Sequence, residues 1–397
     1  MAIAEQDEIR YDPYDVEVNA DPYETFRRLR SEQPLFRNDE YDFWAVSRFD
    51  DVEQVLKDHR TYSSAKGNIL ELIQADIDLP PGTVIMEDPP SHTLHRKLMA
   101  RMFTPRKVAE LESQIRELCA MCLDPLVGTP GFDLIDAFAA IMPMQVIGML
   151  IGIPEEDRVA FREQSDANLR TEAGQPMDAK ADFGNEKFFE YLDWRMDHPS
   201  DDIMTVMLNA EFEDEHGVTR TLTRDELMIY LSVVAGAGNE TTTKLIGWAG
   251  KLLADHPDQR ARLVADPDGI PGAVEELLRY EPASRQVART VTEDVEWYGQ
   301  TVPAGSAILG LIGAANRDEG RWEDPERFDA FRPSVPNLAF GHGIHFCLGA
   351  SLARIEARIA IEEILKRFPE WDVDHEQATM AQTSTVRGYD HLPLILP

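Results

Sequence analysis

The segment between Thr223 and Pro257 restricts the fold more than any other part of the chain. Thr223 followed three residues later by Glu226 is the sequence signature of a capping box, so a helix should begin there. A helix that continues to Pro257 would be roughly 50 Å long. Its middle, LSVVAGAGNETTTKLIGW, is apolar on nearly every side. This helix must therefore be buried inside a protein large enough to surround it.

The centre of this helix is made of poor helix formers. It contains Gly236, Gly238 and three consecutive threonines, and each Gly costs about 1 kcal/mol relative to Ala. A buried helix that is weak at its centre predicts a functional kink at this point.

The rest of the chain indicates one mainly α domain over residues 1–397. Helical periodicity recurs from end to end, and no internal repeat, low-complexity tract or Gly/Ser linker divides the sequence. Strand-like pieces occur at FWAVSR and at residues 286–312, where β-branched and aromatic residues cluster between turn residues. We therefore expect a large helical domain with a small β-rich region beside it.

The charge balance argues against several classes of partner. Acidic residues outnumber basic ones by 72 to 39, which gives a net charge of -33. Such a charge repels nucleic acid and anionic lipid surfaces. The first twenty residues contain no continuous apolar run, and no later run is long enough to span a bilayer. We expect no nucleic acid partner, no membrane anchor and a cytoplasmic location.

Three cysteines occur, which are too few for a disulfide framework. Cys119 and Cys122 form a C-x-x-C, but no second pair completes a zinc site and the surrounding segment has the periodicity of an amphipathic helix. We interpret them as a buried structural pair, with a redox or metal-binding function as the alternative.

Cys347 precedes a predicted helix. Apolar residues recur at helical spacing after it: Leu348, Leu352, Ile355 and Ile359. The N–H groups and dipole at a helix N-terminus favour a thiolate, which is the form that binds metal. Gly341 and Gly343 permit a tight turn before the cysteine, and Gly349 permits a flat cofactor to approach the backbone. Spacing alone still favours an inert buried cysteine.

The residues around Cys347 carry a more specific pattern, F-G-x-G-x-H-x-C-x-G, formed by Phe340, Gly341, Gly343, His345, Cys347 and Gly349. In every defining position this pattern resembles the haem-ligand loop of the cytochrome P450 family. The resemblance implies that Cys347 is the proximal thiolate ligand of the iron of haem b, where it favours cleavage of the O–O bond of dioxygen. It also implies that His345 hydrogen-bonds a haem propionate and that Phe340 packs near the thiolate.

The long helix carries a second matching motif. Ala237, Gly238, Asn239, Glu240 and Thr241 resemble the oxygen-activation signature of the same family. The resemblance implies that Ala237 lies against the haem and that Glu240 and Thr241 are catalytic, because an acid beside a hydroxyl can deliver protons to dioxygen. The alternative is an ordinary surface acid beside a threonine that bonds back to its own helix.

An E-x-x-R motif and further basic residues complete the resemblance. Glu276 and Arg279 correspond to the structural pair of the family, and a third arginine should join them. We choose Arg332 for this position, with Arg327 as the rival. Other residues are implied to hold the haem propionates, since buried carboxylates need cationic or polar partners. They are His92, Arg96 and Arg289, and we expect their neighbours His95 and Lys97 at the surface.

A basic cluster interrupts the acidic chain between residues 91 and 110, where Glu110 is the one acid. Its cations are Arg96, Lys97, Arg101, Arg106 and Lys107. The resemblance places this cluster, together with Arg354 and Arg358, on the face where an acidic iron–sulfur protein docks. We therefore predict a ferredoxin partner that receives electrons from NAD(P)H through a separate ferredoxin reductase. Scattered solvated cations are the alternative.

The segments that line the substrate cavity in the family are mostly small or aliphatic in this chain. They include residues 165–194, residues 284–287 and the positions Ile85, Val233, Val287 and Thr385. An apolar substrate such as a terpenoid, a steroid or a fatty acyl compound is expected. Two other functions stay open: a peroxide-driven hydroxylase, and a haem-thiolate protein that binds a ligand without catalysis.

Overall fold

The computed structural model of the protein describes residues 9–161, 163, 170–178, 186–200, 203–214 and 217–397. Its helices are α1 (Val16–Ala20), α2 (Tyr23–Glu32), α3 (Phe49–Lys57), α4 (Leu70–Ala75), α5 (Ser91–Met99), α6 (Pro105–Glu110), α7 (Glu112–Leu123), α8 (Met142–Ile151), α9 (Glu186–Asp197), α10 (Ile203–Leu208), α11 (Arg224–Asp255), α12 (Pro257–Ala265), α13 (Ile270–Tyr280), α14 (Ile312–Ala315) and α15 (Ala350–Arg367). No helix within these residues is both long and apolar enough to cross a membrane.

The strands are short and follow in the order β1 (Leu35–Asn38), β2 (Phe43–Val46), β3 (Tyr62–Ser63), β4 (Gly131–Asp133), β5 (Phe212–Glu213), β6 (Thr219–Arg220), β7 (Val287–Val291), β8 (Val295–Trp297), β9 (Gln300–Val302), β10 (Ala307–Gly310), β11 (Asp372–Val373), β12 (Thr379–Met380), β13 (Tyr389–His391) and β14 (Pro393–Ile395). The largest sheet has the order β1-β2-β10-β7-β3. In it β10 runs parallel to β2 and antiparallel to β7. The two predicted strand regions thus pair with each other.

The long helix α11 begins and ends where the sequence predicts. The hydroxyl of Thr223 accepts from the backbone N–H of Glu226, and the Glu226 carboxylate accepts from the N–H of Thr223, which completes the capping box. The helix is continuous through its glycines, so a kink there stays a prediction. Gly238 has a packing reason: a Cβ at this position would lie 2.6 Å from the side chain of Ile147 on α8.

The main hydrophobic core surrounds α11, as its apolar composition requires. α8 and α15 both pack against it, and α7 packs against α15. On α7, Cys119 is fully buried and Cys122 is half-buried. Burial raises the pKa of the Cys119 thiol to about 12, which keeps it neutral and unreactive. The geometry therefore suits the structural interpretation of this pair better than a redox function.

Candidate active site

The loop before α15 is a tight turn that presents Cys347 at the start of the helix. Gly341 and Gly343 have φ angles of 70° and 72°, which favour glycine. A Cβ on Gly343 would also lie 2.9 Å from the carbonyl oxygen of Leu56. The N–H of Cys347 donates to the carbonyl of Phe340 at 2.8 Å and closes the turn. Local backbone chemistry therefore sets the position of the cysteine.

Cys347 is exposed although protein atoms surround its thiol, so the residue borders open space. The N–H of Gly349 donates to this sulfur and, with the charges of Arg96 and Arg354, favours the thiolate. Burial is the larger effect, however, and the pKa of the thiol is raised. The helix terminus therefore favours the thiolate, as the sequence predicts, but it does not outweigh burial. A bound metal cation would supply the missing stabilisation, because a coordinating thiol is deprotonated.

Four basic side chains from α5, β7 and the loop itself converge here: His92, Arg96, Arg289 and His345. His92 lies on α5 and Arg289 on β7, and the rings of His92 and His345 are 4.5 Å apart. Burial, followed by the charge of Arg289, lowers the pKa of His345 to about 3. Burial also lowers the pKa of Arg289 to about 10 and lowers that of His92, where Arg96 adds to the effect. The polypeptide alone thus disfavours the charged forms of His345, Arg289 and His92.

The basic cluster has unused hydrogen-bonding capacity. Neither ring nitrogen of His92, nor Nε2 of His345, has a hydrogen-bond partner among the residues that the structure describes. Arg289 donates to its neighbour's carbonyl, that of Ala288, at 2.8 Å, and Arg96 donates to the carbonyl of Phe346. Buried cations and orphaned imidazoles of this kind fit two carboxylates.

The space beside Cys347 has room for a flat group. A Cβ on Gly349 would meet only Phe103, at 4.0 Å, so the protein's own packing does not require glycine there. Ala237 is exposed although it lies in the middle of buried α11, so this face of the helix also borders open space. These residues fit a haem bound through a thiolate, and the site therefore defines a haem-thiolate protein.

Glu240 and Thr241 follow Ala237 on α11 but make different contacts. The Thr241 hydroxyl donates to the carbonyl of Ala237 at 2.9 Å, which is the back-bonding considered above. Glu240 is buried, unlike a surface acid, and its Oε1 lies 2.8 Å from Nζ of Lys244. Sequence reasoning did not single out Lys244, although the Glu-to-Lys spacing of four residues on one helix was a usable signal.

The E-x-x-R residues form a buried network behind the cysteine loop. Glu276 contacts Arg279 at 2.7 Å and Arg332 at 3.1 Å. The rival residue Arg327 is exposed, with its side chain 65% accessible and 4.0 Å from Asp329. Arg332 also donates to three carbonyls of the segment before the loop. The network thus ties α13 to the chain that leads to the cysteine.

The structure corrects one prediction about the flanking residues of α5. Lys97 is exposed, as expected. His95 is buried, so its predicted surface position is wrong. Its ring packs 6.0 Å from that of Tyr230 on α11, and its Nδ1 lies 2.7 Å from the carboxylate of Glu87. The carboxylate satisfies the imidazole, which lets a polar ring occupy the core.

The four predicted pocket positions are all half-buried. Ile85 and Val233 pack against the main core, whereas Val287 packs against the second hydrophobic cluster beside the large sheet. The N–H of Thr385 donates to the hydroxyl of Thr383 at 3.1 Å. Much of the predicted lining at residues 165–194 lies outside the described residues.

Comparisons with known proteins agree with this site. The family model described as Cytochrome P450 matches residues 182–388. A putative cytochrome P450 123 of Mycobacterium tuberculosis is 40% identical over 395 residues, which cover 98% of this chain and 97% of the relative. The structure of CYP109Q5 from Chondromyces apiculatus is 34% identical, with a TM-score of 0.85 over 97% of this chain and 98% of that one.

A further similar structure is CYP109E1 from Bacillus megaterium in complex with testosterone. It is 29% identical, with a TM-score of 0.85 over 96% of this chain and 99% of that one. The chain therefore belongs to the cytochrome P450 family. It has the cytochrome P450 fold and is a monooxygenase that uses haem and dioxygen.

Proposed function

We propose that this protein, acting as one domain in the cytoplasm, oxidises an apolar small molecule with electrons that NAD(P)H supplies through a ferredoxin reductase and a ferredoxin. The observation that carries the proposal is the convergence of four basic groups on the loop of Cys347, of which His92 and Arg289 are buried. When bound, haem supplies dioxygen activation and the transfer of one oxygen atom to the substrate. The other oxygen atom leaves as water.

Four side chains are proposed to hold the haem propionates: His92, Arg96, Arg289 and His345. Cys347 would ligate the iron, with the Gly349 N–H stabilising its negative charge. Phe340 shields this side of the loop, and the guanidinium of Arg354 lies over its ring at 4.5 Å.

Glu240 and Thr241 are proposed to deliver protons on the other side. Oxygen transfer consumes two protons, so the site needs a donor that solvent can recharge. The Thr241 hydroxyl can accept and donate hydrogen bonds, and Glu240 is the adjacent acid. Both residues are present, and this argues against a peroxide-driven hydroxylase or a ligand carrier, which do not need such a pair.

Electron delivery is proposed to use the exposed part of the basic cluster. Several cations of the cluster and of α15 already form ion pairs with acids: Arg106 with Glu110, Arg354 with Glu275, and Arg358 with Glu112 and Glu362. Lys97 and Arg101 remain exposed and make no ion pair within the part of the chain that the structure describes. They are therefore the proposed contacts for an acidic ferredoxin.

The proposed substrate class rests on the aliphatic character of Ile85, Val233 and Val287 and on one relative. CYP109E1 was solved in complex with testosterone. This supports a steroid or another apolar compound of similar size as the substrate. Spectral screening of terpenoids, steroids and fatty acids for a low-to-high-spin shift would identify the best binder.

The reduced carbon-monoxide difference spectrum tests the proposal first. A Soret band with the red shift of a thiolate ligand is expected, and C347A should abolish that shift. Product analysis then separates the three functions: ferredoxin-dependent oxidation supports the monooxygenase, oxidation with peroxide alone supports the peroxide-driven enzyme, and binding without product supports the carrier. A band without the thiolate shift would refute the ligand assignment.

A further inference from the structure

Lys244 is a buried cation one turn beyond Glu240 on α11. Only 2% of its side chain is accessible. Its Nζ lies 2.8 Å from Oε1 of Glu240 and 3.0 Å from Oδ1 of Asp390, and it donates to the carbonyl of Tyr389 at 3.1 Å. The ammonium therefore donates hydrogen bonds to Tyr389 and Asp390 and forms an ion pair with Glu240. A buried ammonium is stable only when it is paired in this way.

The chain leaves a space shaped for this lysine. A Cβ on Gly388 would lie between 2.7 and 2.9 Å from the Cβ, Cγ and Cδ atoms of Lys244. One turn further along α11, the indole N–H of Trp248 donates to the carbonyl of Arg387 at 3.1 Å. The helix and the segment that leads into β13 therefore pack closely at the lysine and one turn beyond it, which restricts the position of Nζ.

A row of three charged side chains leads from the inside of the protein to its surface: Glu240, Lys244 and Asp390. The Glu240 side chain is 11% accessible, and the Asp390 side chain is 28% accessible. Lys244, between them, is almost fully enclosed. Asp390 is thus the solvent-facing end of a row of three charged groups, and Glu240 is the end next to Thr241.

We propose that Lys244 is a positioning residue that holds the Glu240 carboxylate beside Thr241 while Asp390 anchors the lysine from the solvent side. This inference rests on the proposed role of Glu240 in proton delivery. Loss of Lys244 leaves the carboxylate without its fixed partner, so protons arrive more slowly. Dioxygen that receives two electrons and two protons then leaves as hydrogen peroxide, instead of being cleaved and reduced further.

A double-mutant cycle tests the pairing without turnover. Unfolding of the holoenzyme in urea is measured for K244M, E240Q and the double variant. The pair Lys251 and Asp255, which is also spaced by four residues on α11 but is more accessible, provides the matched control through K251M and D255N. We expect the effects at 244 and 240 to deviate from additivity by about tenfold or more in the unfolding equilibrium constant, and those at 251 and 255 by about twofold or less. Additive effects at 244 and 240 would overturn the proposal.

The ratio of NADPH to dioxygen consumed tests the effect on proton delivery. With ferredoxin and reductase and no organic substrate, one NADPH per dioxygen yields peroxide and two yield water. K244M and D390N should lower this ratio and raise peroxide released per NADPH by about threefold, whereas K251M should not. D390N keeps an oxygen acceptor for the lysine, so it provides a readout even where K244M unfolds.

The outcomes separate the two proposals. A wild-type protein without the thiolate-shifted carbon-monoxide band refutes the proposed function itself. If the wild type has that band but K244M and D390N match K251M, the role of Lys244 is refuted alone. A wild-type ratio that is already at one NADPH per dioxygen also overturns it, because there would be no proton delivery for the lysine to support.

Discussion

Replacing Arg289 by Met should weaken haem retention, because no carboxylate among the described residues is a hydrogen-bond partner of this guanidinium. Burial lowers its pKa from 12.5 to about 10. At 1.36 kcal/mol per pKa unit, that difference is about 3 kcal/mol of unfavourable energy for the charged form. If a haem propionate offsets this unfavourable energy, Arg289 raises the affinity for haem by up to about 300-fold. Water that enters the site would reduce this contribution to about 30-fold.

Transfer of haem from the holoenzyme to excess apomyoglobin measures this effect as a rate of haem loss. Arg285 provides the control, because burial also lowers its pKa while it donates to the carbonyl of Pro13, away from the proposed propionate cluster. R289M should lose haem at least about tenfold faster than R285M. Equal rates for the two variants would show that Arg289 does not hold a propionate.

The remaining predictions concern other parts of the site. T241A should release more peroxide per NADPH and form less product, with haem content unchanged; unchanged coupling would remove its role in proton delivery. K97E should slow reduction by ferredoxin in stopped-flow measurements and weaken the dependence of the rate on salt, whereas R27E, at an accessible position of α2, should not. R332A should lower the free energy of unfolding by about 3 kcal/mol, and a change below about 0.5 kcal/mol would show that the network is dispensable. Burial and the charge of Arg289 lower the pKa of His345 to about 3 in the absence of haem, so between pH 6.5 and 5 this histidine takes up a proton only in the unfolded chain. Over this range the haem-free wild type should lose up to about 2 kcal/mol of stability in urea unfolding, and H345N should lose this slope.

Features set by neighbouring residues could be predicted from the sequence. The capping box at Thr223 depends on a residue three positions away, and the turn before Cys347 depends on Gly341 and Gly343 within the same loop. Such elements are encoded locally, and the structure has both where they were expected. The family resemblance similarly depended on short motifs of contiguous residues.

Features set by distant residues could not be predicted in the same way. The choice between Arg332 and Arg327 depends on which side chain reaches Glu276, which lies more than fifty positions earlier in the chain. The burial of His95 depends on its contacts with Glu87 and with Tyr230 of α11. The residues next to His95 in the sequence do not reveal these contacts. For the thiol of Cys347, burial outweighed the helix terminus, and the sequence does not give the size of either effect.

The order of strands in the largest sheet also has a consequence for how the protein is made. Phe43 of β2 pairs with Ala307 of β10, and Tyr62 of β3 pairs with Val291 of β7. During synthesis, the early hairpin of β1 and β2 therefore keeps an open edge until most of the chain has left the ribosome. Contacts of such long sequence separation fold slowly. Arg289 lies on β7 of this same sheet, and His345 and Cys347 follow it in the chain, so a nascent chain lacks its full set of proposed haem contacts until synthesis has passed residue 347.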